Sequence, residues 1–153
     1  MFRPLAAFAF LSAALATSPA SACGGVGAAC EVSGGVYHAA TPGGAGPHPA
    51  LIFLHGFGGT GEGVIRNKGL VNAILARGYA VVAPQGLPWR EGQRGGAWNS
   101  MKREARRDDV AFLNDVAAAA ADRHGLDRSR MLIAGFSGGG MMTWRVACDA
   151  PKS

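Results

Sequence analysis

The residues best suited to chemistry lie at Gly135-Phe136-Ser137-Gly138-Gly139, which fits the pattern G-x-S-x-G. An apolar run at residues 131–134 precedes this segment and a helical pattern through Met142 follows it. Between a strand and a helix, the pattern predicts a sharp turn that exposes the serine hydroxyl as a nucleophile. Glycine suits the positions beside such a turn because a Cβ there would collide with the adjoining elements. The start of the following helix favours developing negative charge. We therefore predict that Ser137 is a nucleophile.

A second glycine-rich loop, His55 to Gly61, follows the apolar run at residues 50–54. Residues 56–61 fit G-x-G-x-x-G, which indicates dinucleotide binding when an acidic residue ends the next strand. That strand, at residues 79–83, runs instead into Pro84-Gln85. The alternative is an oxyanion-hole loop of the HG-x type, whose backbone N–H faces a carbonyl oxygen. We prefer the oxyanion hole because it accounts for the downstream serine, and the dinucleotide-binding domain is the less favoured alternative.

The N-terminal segment, residues 1–22, is expected to be a secretory signal peptide. It contains Arg3, an apolar run too short to span a membrane, and a small-x-small cleavage site at Ala20-Ser21-Ala22. Export would leave Cys23 at the N-terminus of a secreted protein. Lipoprotein processing at Cys23, which would attach the protein to a membrane, is the alternative.

The cysteines are interpreted in the light of this export. Cys23 and Cys30 lie close together across a glycine-rich segment, which favours a disulfide in an oxidising compartment. A metal site is disfavoured because no His or further Cys follows at ligand spacing nearby, and no metal is expected. Cys148 is either a buried thiol or the partner of a cysteine elsewhere.

The net charge is +5, from 15 Lys and Arg against 10 Asp and Glu. The basic residues concentrate at Lys102, Arg103, Arg106 and Arg107, with no aromatic residue among them. A nucleic-acid surface would interleave aromatic side chains with the cations, so no nucleic-acid partner is expected and the cluster is interpreted as a solvated loop.

The remaining pattern alternates strands with helices and predicts an α/β fold with a parallel sheet and right-handed crossovers. A hairpin or edge strand is expected over residues 31–41, a strand buried on both faces over residues 50–54, and short buried strands over residues 79–83 and 131–134. Helices are expected over residues 63–77 and from an Asp108 or Asp109 cap to His124-Gly125. The long loop at residues 85–107 carries Trp89 and Trp98, which either contact substrate or, as we favour, pack against the sheet rim.

Taken together, several segments make the chain resemble the secreted α/β-hydrolase esterases of the polyhydroxybutyrate depolymerase and feruloyl esterase type, including the LpqC-like group. They are Cys30-Glu31-Val32, Gly35-Val36-Tyr37, Phe53-Leu54-His55-Gly56, Trp98-Asn99, Asp108 to Phe112 and Gly135 to Met142. The resemblance implies a mostly parallel sheet with flanking helices. It also implies that Ser137 attacks polyester or hydroxycinnamate ester substrates with no cofactor.

The same resemblance implies the supporting residues. The backbone N–H groups of Phe57 and Gly138 would form the oxyanion hole. Independently of the resemblance, the place of Trp98 in the long loop makes it a candidate substrate contact. His55, Gly56, Gly135 and Gly139 would hold the loops in place. We expect His55 to brace its loop rather than to act as a base, because it precedes Ser137 in the chain.

The order of the catalytic residues departs from the family pattern, which runs Ser, then Asp or Glu, then His. Asp149 is the only acidic residue in the sequence after Ser137. All four histidines precede Ser137: His38, His48, His55 and His124. Residues 23–153 are therefore expected to be the N-terminal part of an esterase domain. Its later strands and two triad members would be missing, one sheet edge exposed and activity absent. A non-catalytic remnant or binding protein is the alternative.

Overall fold

The computed structural model describes residues 23–149, so the predicted signal peptide lies outside the described residues. The strands are β1 (Cys30–Val32), β2 (Gly35–Ala40), β3 (His48–Leu54), β4 (Ala80–Pro84), β5 (Leu87–Pro88), β6 (Gly96–Ala97) and β7 (Leu126–Gly135). The helices are α1 (Gly61–Arg66), α2 (Lys68–Leu75), α3 (Asp109–His124) and α4 (Gly138–Asp149). None of these helices is long and apolar enough to cross a bilayer.

Five strands form the main sheet, in the order β1-β2-β4-β3-β7. Strands β4, β3 and β7 are parallel, whereas β1 and β2 form the predicted hairpin and add antiparallel to β4. The sheet is therefore mixed rather than wholly parallel. All five residues of β4 are buried, because strands flank it on both sides and helices cover both faces. The prediction of a buried strand here is confirmed.

Alternate residues of β4 face two separate apolar layers. Val81 and Ala83 pack with apolar residues of α1 and α2 on one face of the sheet. Ala80 and Val82 belong to the larger core on the other face, which α3 and α4 cover. Since successive side chains of a strand point to opposite faces, this short segment ties both layers together.

The predicted single helix over residues 63–77 is wrong. Asn67 ends α1, and its side-chain oxygen accepts a hydrogen bond from the N–H of Leu70, which caps the start of α2. Asparagine favours such a cap over a helix interior because its side chain competes for backbone N–H groups. The chain thus forms two short helices with a turn between them.

The predicted burial of the strand before the serine is also wrong. Strand β7 runs for ten residues and pairs with β3 alone within residues 23–149. Leu132 is 56% exposed, and three apolar residues just beyond the strand are exposed as well: Phe136, Met141 and Trp144. The apolar run 131–134 indicated a central strand, but these residues lie at an edge of the described sheet.

The predicted disulfide between Cys23 and Cys30 is present. It ties the start of the described chain to β1, and Cys30 is buried in the larger core. Cys148 is free and exposed within the described residues, so the alternative of a buried thiol is wrong.

Reduction of this disulfide should lower the free energy of unfolding by about 2–3 kcal/mol, because a loop of that length gives modest chain-entropy stabilisation. Urea unfolding followed by circular dichroism, with a chelator present, measures the change. The same reductant should have no effect on a Cys23→Ala, Cys30→Ala double variant. An unchanged unfolding midpoint in wild type, after alkylation had verified reduction, would contradict the prediction.

Candidate active site

Ser137 occupies the turn between β7 and α4, as the sequence pattern predicts. Its φ angle is 50°, a left-handed conformation that costs a non-glycine residue about 1–2 kcal/mol. Two hydrogen bonds fix the turn: the N–H of Phe136 donates to Leu54 O (3.0 Å), and the N–H of Gly139 donates to Phe136 O (2.8 Å). The Ser137 side chain is exposed at the tip.

Two glycines make this tight turn possible. A Cβ placed on Gly139 would collide with the carbonyl oxygen of Leu54, and one placed on Gly135 would collide with the backbone of Gly139. The start of α4 therefore packs directly on the backbone of the strands below it. In the neighbouring loop, a Cβ placed on Gly56 would make a tight contact of 3.1 Å with the ring of Phe136.

Two backbone N–H groups lie beside Ser137 without an acceptor in residues 23–149: those of Phe57 and Gly138. A Cβ placed on Gly138 would be 3.5 Å from the nitrogen of Phe57, so the two loops meet here. Gly138 also begins α4, where the helix dipole favours negative charge. The arrangement can stabilise an oxyanion formed at a carbonyl that Ser137 attacks.

His55 is buried beneath this loop, and both of its ring nitrogens are engaged with backbone. Nδ1 bonds to Gly56 O (2.8 Å), and Nε2 accepts a hydrogen bond from the N–H of Gly86 (3.0 Å). These contacts define a neutral ring that donates through Nδ1. No ring nitrogen is left to take a proton from Ser137.

Trp98 lies against His55 with its ring centroid 4.9 Å from the imidazole, and its Nε1–H donates to His55 O (2.8 Å). The indole is only 6% exposed. It nevertheless lines the cleft beside Ser137, so it both packs against the rim of the sheet and forms part of the cleft wall.

Asp109 is a structural anchor that sequence analysis missed. Of the two predicted helix caps, Asp108 is the cap, and its carboxylate accepts from the N–H groups of Val110 and Ala111. Asp109 is buried instead. Its two oxygens accept from Arg107 Nε (2.6 Å) and from the N–H of Asn99 (2.6 Å). The adjacent pair of aspartates was a signal for this second role, because only one of the two can cap the helix and the other must have different partners.

The Arg107 guanidinium extends this network. It also donates to the carbonyl oxygens of Gly34 (2.8 Å) and Gln85 (3.3 Å), and its carbon lies 3.5 Å from the centre of the Phe112 ring. Burial lowers the pKa of Arg107, while the adjacent Asp109 carboxylate raises it. The pair fixes the loop that carries Trp98 and hence the loop that carries the Phe57 N–H.

A cleft of about 270 Å³ opens beside Ser137 and Gly138. Its wall is largely apolar and includes Phe57, Trp89, Trp98, Met101 and Met141. Trp89 contacts Phe57 edge-on, with ring centroids 6.1 Å apart. The guanidinium groups of Arg103 and Arg106 each lie 4.9 Å from the centre of the Trp89 ring. The cleft can therefore hold an apolar or aromatic group next to the nucleophile, with cations at its rim.

Within residues 23–149, no general base lies beside Ser137, whose hydroxyl has no hydrogen-bond partner there. Asp149 forms an ion pair with Arg145 on α4, as expected for a residue leading away from the turn. His38 bonds to Gly25 O, His124 contacts Cys30, and His48 begins β3, at the end of the strand remote from the Ser137 turn. The described chain thus brings the Ser137 hydroxyl and the N–H groups of Phe57 and Gly138 together without a proton acceptor.

The chain is similar to known proteins in sequence and in fold. Residues 69–153 match the prolyl oligopeptidase family. The chain is 32% identical over 103 residues to "Putative esterase NocK" of Nocardia uniformis subsp. tsuyamanensis, covering 67% of this chain and 29% of that protein. The chain therefore spans less than a third of this curated relative.

Two solved structures share the fold. An acetyl xylan esterase from Aspergillus awamori superposes with a TM-score of 0.60 at 19% identity, covering 78% of this chain and 44% of that one. A carboxylesterase from Mesorhizobium loti superposes with a TM-score of 0.57 at 20% identity, covering 81% and 60%. The α/β-hydrolase-like fold expected from sequence is confirmed.

Substituting Gly139→Ala should lower the free energy of unfolding by about 3 kcal/mol or abolish folding, because its Cβ would overlap the Leu54 carbonyl. Gly43→Ala is the matched control, since a Cβ there meets nothing within 4 Å. Urea unfolding compares the two variants. Equal unfolding midpoints would show that the crossing of helix and strand is not as tight as described.

Stability should fall as the pH drops below about 6.5, the usual pKa of histidine. Burial lowers the pKa of His55, opposed by its hydrogen bond to Gly56 and by the charge of Asp109. A group with a lowered folded-state pKa contributes stability above its unfolded pKa and loses it as the pH falls through the folded value. Urea unfolding at about pH 7.5 and about pH 5.5 tests this, with His55→Gln expected to lose less stability between the two. If wild type and His55→Gln lost equal free energy of unfolding between the two pH values, the pH dependence could not be assigned to His55.

Proposed function

Because this chain belongs to the prolyl oligopeptidase family, we propose that it is part of a serine esterase that cleaves carboxylic esters through an acyl intermediate on Ser137. One observation carries the proposal. Ser137 is exposed in a left-handed turn directly beside the two N–H groups of Phe57 and Gly138, which have no acceptor in residues 23–149. A nucleophile and an oxyanion hole are the two parts that acyl transfer requires at one carbonyl.

In the proposed reaction, Ser137 Oγ attacks the ester carbon and gives up its proton to a base. The carbonyl oxygen becomes an oxyanion held by the N–H groups of Phe57 and Gly138. Collapse of this intermediate breaks the ester C–O bond, and the leaving oxygen takes the proton back from the base to depart as the alcohol. Water then hydrolyses the acyl group on Ser137 to release the acid. Protein segments outside residues 23–149 would contribute the base, since the described region places none at the serine. The free hydroxyl is a weak nucleophile without one.

The proposed substrates are polyhydroxyalkanoate polyesters or hydroxycinnamate esters. The cleft supports this class because its aromatic and methionine side chains can hold an apolar or aromatic acyl group next to Ser137. The curated relative and both solved structures bear esterase names, which supports ester chemistry in general. We propose no cofactor and no nucleic-acid partner.

We further propose that the protein is secreted. The apolar segment before Cys23 has the pattern of a signal peptide, and the Cys23–Cys30 disulfide suits an oxidising compartment. Attachment to a membrane would follow only from lipidation of Cys23, which would use the same sulfur atom as the disulfide and so exclude it.

The sharpest test of the site replaces the nucleophile with one that needs no base. In a Cys148→Ser background, Ser137→Cys should become acetylated by p-nitrophenyl acetate, because thiolate forms readily and a helix N-terminus lowers the pKa of a thiol. Intact-mass measurement should show one acetyl group per chain, and its formation should outpace acetylation of a free thiol peptide. Acetylation no faster than that of the peptide would overturn the proposed oxyanion hole.

The natural chain provides the matched controls. Loss of the base costs up to about 10⁶ in turnover in another hydrolase, so the 153-residue chain and Ser137→Ala should share one slow background rate. Turnover at ordinary enzymatic rates that Ser137→Ala abolished would instead show that an earlier histidine serves as base. A non-catalytic binding protein would be favoured if Ser137→Cys were acetylated no faster than the peptide and the natural chain also showed no turnover above background.

A further inference from the structure

The N-terminal disulfide has a histidine neighbour that lies far away in sequence. His124, at the end of α3, places Nε2 3.6 Å from Cys30 Sγ, although the two residues are 94 positions apart. The sulfur atoms of Cys23 and Cys30 and a ring nitrogen of His124 all lie within 4.8 Å of one another. Sequence analysis disfavoured a metal here because no further ligand follows nearby in the chain. The fold, however, brings a third candidate ligand to the two cysteines from another element.

Two thiolates and one imidazole are a ligand set that suits Zn²⁺. In a tetrahedral site, Zn–S bonds of about 2.3 Å and Zn–N bonds of about 2.0–2.1 Å place sulfur and nitrogen about 3.6 Å apart. Cys30 Sγ and His124 Nε2 already have this spacing. Only the two sulfur atoms have to separate, to about 3.8 Å in the same geometry. The segment between them contains Gly24, Gly25 and Gly27, and Gly25 and Gly27 are exposed.

We propose that reduction of the Cys23–Cys30 disulfide creates a Zn²⁺ site formed by the two cysteine thiolates and His124 Nε2. A dithiol reductant supplies two electrons: its own thiols become a disulfide, the protein S–S bond breaks, and Cys23 and Cys30 become thiols. Zinc binding then releases two protons as both thiols become thiolates. The fourth position is open to water or to the hydroxyl of Tyr37, which lies 3.4 Å from His124 Nε2.

Charge and position are compatible with this site. Two thiolates balance the charge of Zn²⁺, so the metal adds no net positive charge beside Arg123, whose guanidinium donates to Glu31 O (2.7 Å). None of the three ligands lines the cleft at Ser137, and the site is independent of ester hydrolysis. The metal would keep the start of the described chain and β1 attached to the end of α3 when the disulfide is open. Disulfide and metal exclude each other because both use the same two sulfur atoms.

Cobalt titration of the reduced chain tests the site. The Cys148→Ser variant, which removes the exposed thiol, is reduced with a phosphine, freed of reductant without air, and titrated with Co²⁺. One equivalent should bind, with near-ultraviolet thiolate-to-cobalt charge transfer and the visible bands of a tetrahedral ion, and Zn²⁺ should displace it. The oxidised chain should bind none. His124→Gln should weaken binding by about tenfold or more, since metal sites lose this much when even an outer-shell partner is removed.

His48→Gln is the matched control, because His48 lies on β3 outside the cluster and its loss should leave the affinity unchanged. Circular dichroism on the same samples separates loss of the site from loss of the fold. If reduction unfolds the chain, Zn²⁺ should restore the folded spectrum in the parent and not in His124→Gln. Absence of binding, a spectrum without thiolate charge transfer, or equal affinity in parent and His124→Gln would each overturn the proposal.

Discussion

The structure depends on one close contact, the packing of the start of α4 against the backbone of β3 and β7. Side chains are excluded at Gly135 and Gly139 because a Cβ at either would overlap backbone atoms. That contact leaves the chain too little room for a relaxed turn, so Ser137 adopts its left-handed conformation. The same geometry brings the first N–H of α4 to the loop at Phe57. The exposed Ser137 and the two N–H groups, which we propose as nucleophile and oxyanion donors, therefore share a single steric cause.

The opposite wall of the site is held by polar contacts rather than by close packing. The Asp109 carboxylate accepts hydrogen bonds from Asn99 and Arg107. Trp98, the residue next to Asn99, donates to the backbone oxygen of His55. The His55 ring in turn bonds to the backbone of Gly56 and Gly86. Removing one partner of a buried ion pair leaves an uncompensated charge and costs about 3–5 kcal/mol. Substitution of Asp109 should therefore disturb the loop at Phe57, because Asn99, Trp98 and His55 connect the two in succession.

Features encoded by neighbouring residues were predictable from sequence. The strand, turn and helix around Ser137, the hairpin, the strand β4 and the pairing of Cys23 with Cys30 all follow from local patterns. Features that depend on distant partners were not. An apolar run cannot show whether its strand is central or, like β7, lies at an edge, and the doubled aspartate could not show which member meets Arg107. The approach of His124 to Cys30 spans 94 positions and left no signal in either segment.

The cations around Trp89 also affect how a substrate reaches the cleft. Lys102, Arg103 and Arg106 lie at or beside its rim, opposed there by Glu104 and Asp108, on a chain with a net charge of +5. Asp109 and Asp149 also line this region, and each is paired with an arginine. Their combined field attracts anions over a Debye length of about 10 Å at 0.1 M ionic strength. Under the proposed ester hydrolysis, an ester that carries a free carboxylate or phenolate would be drawn toward Ser137 before contact, and a neutral ester would not. Added salt would slow the diffusional encounter of the charged ester with the cleft and leave that of the neutral ester unchanged.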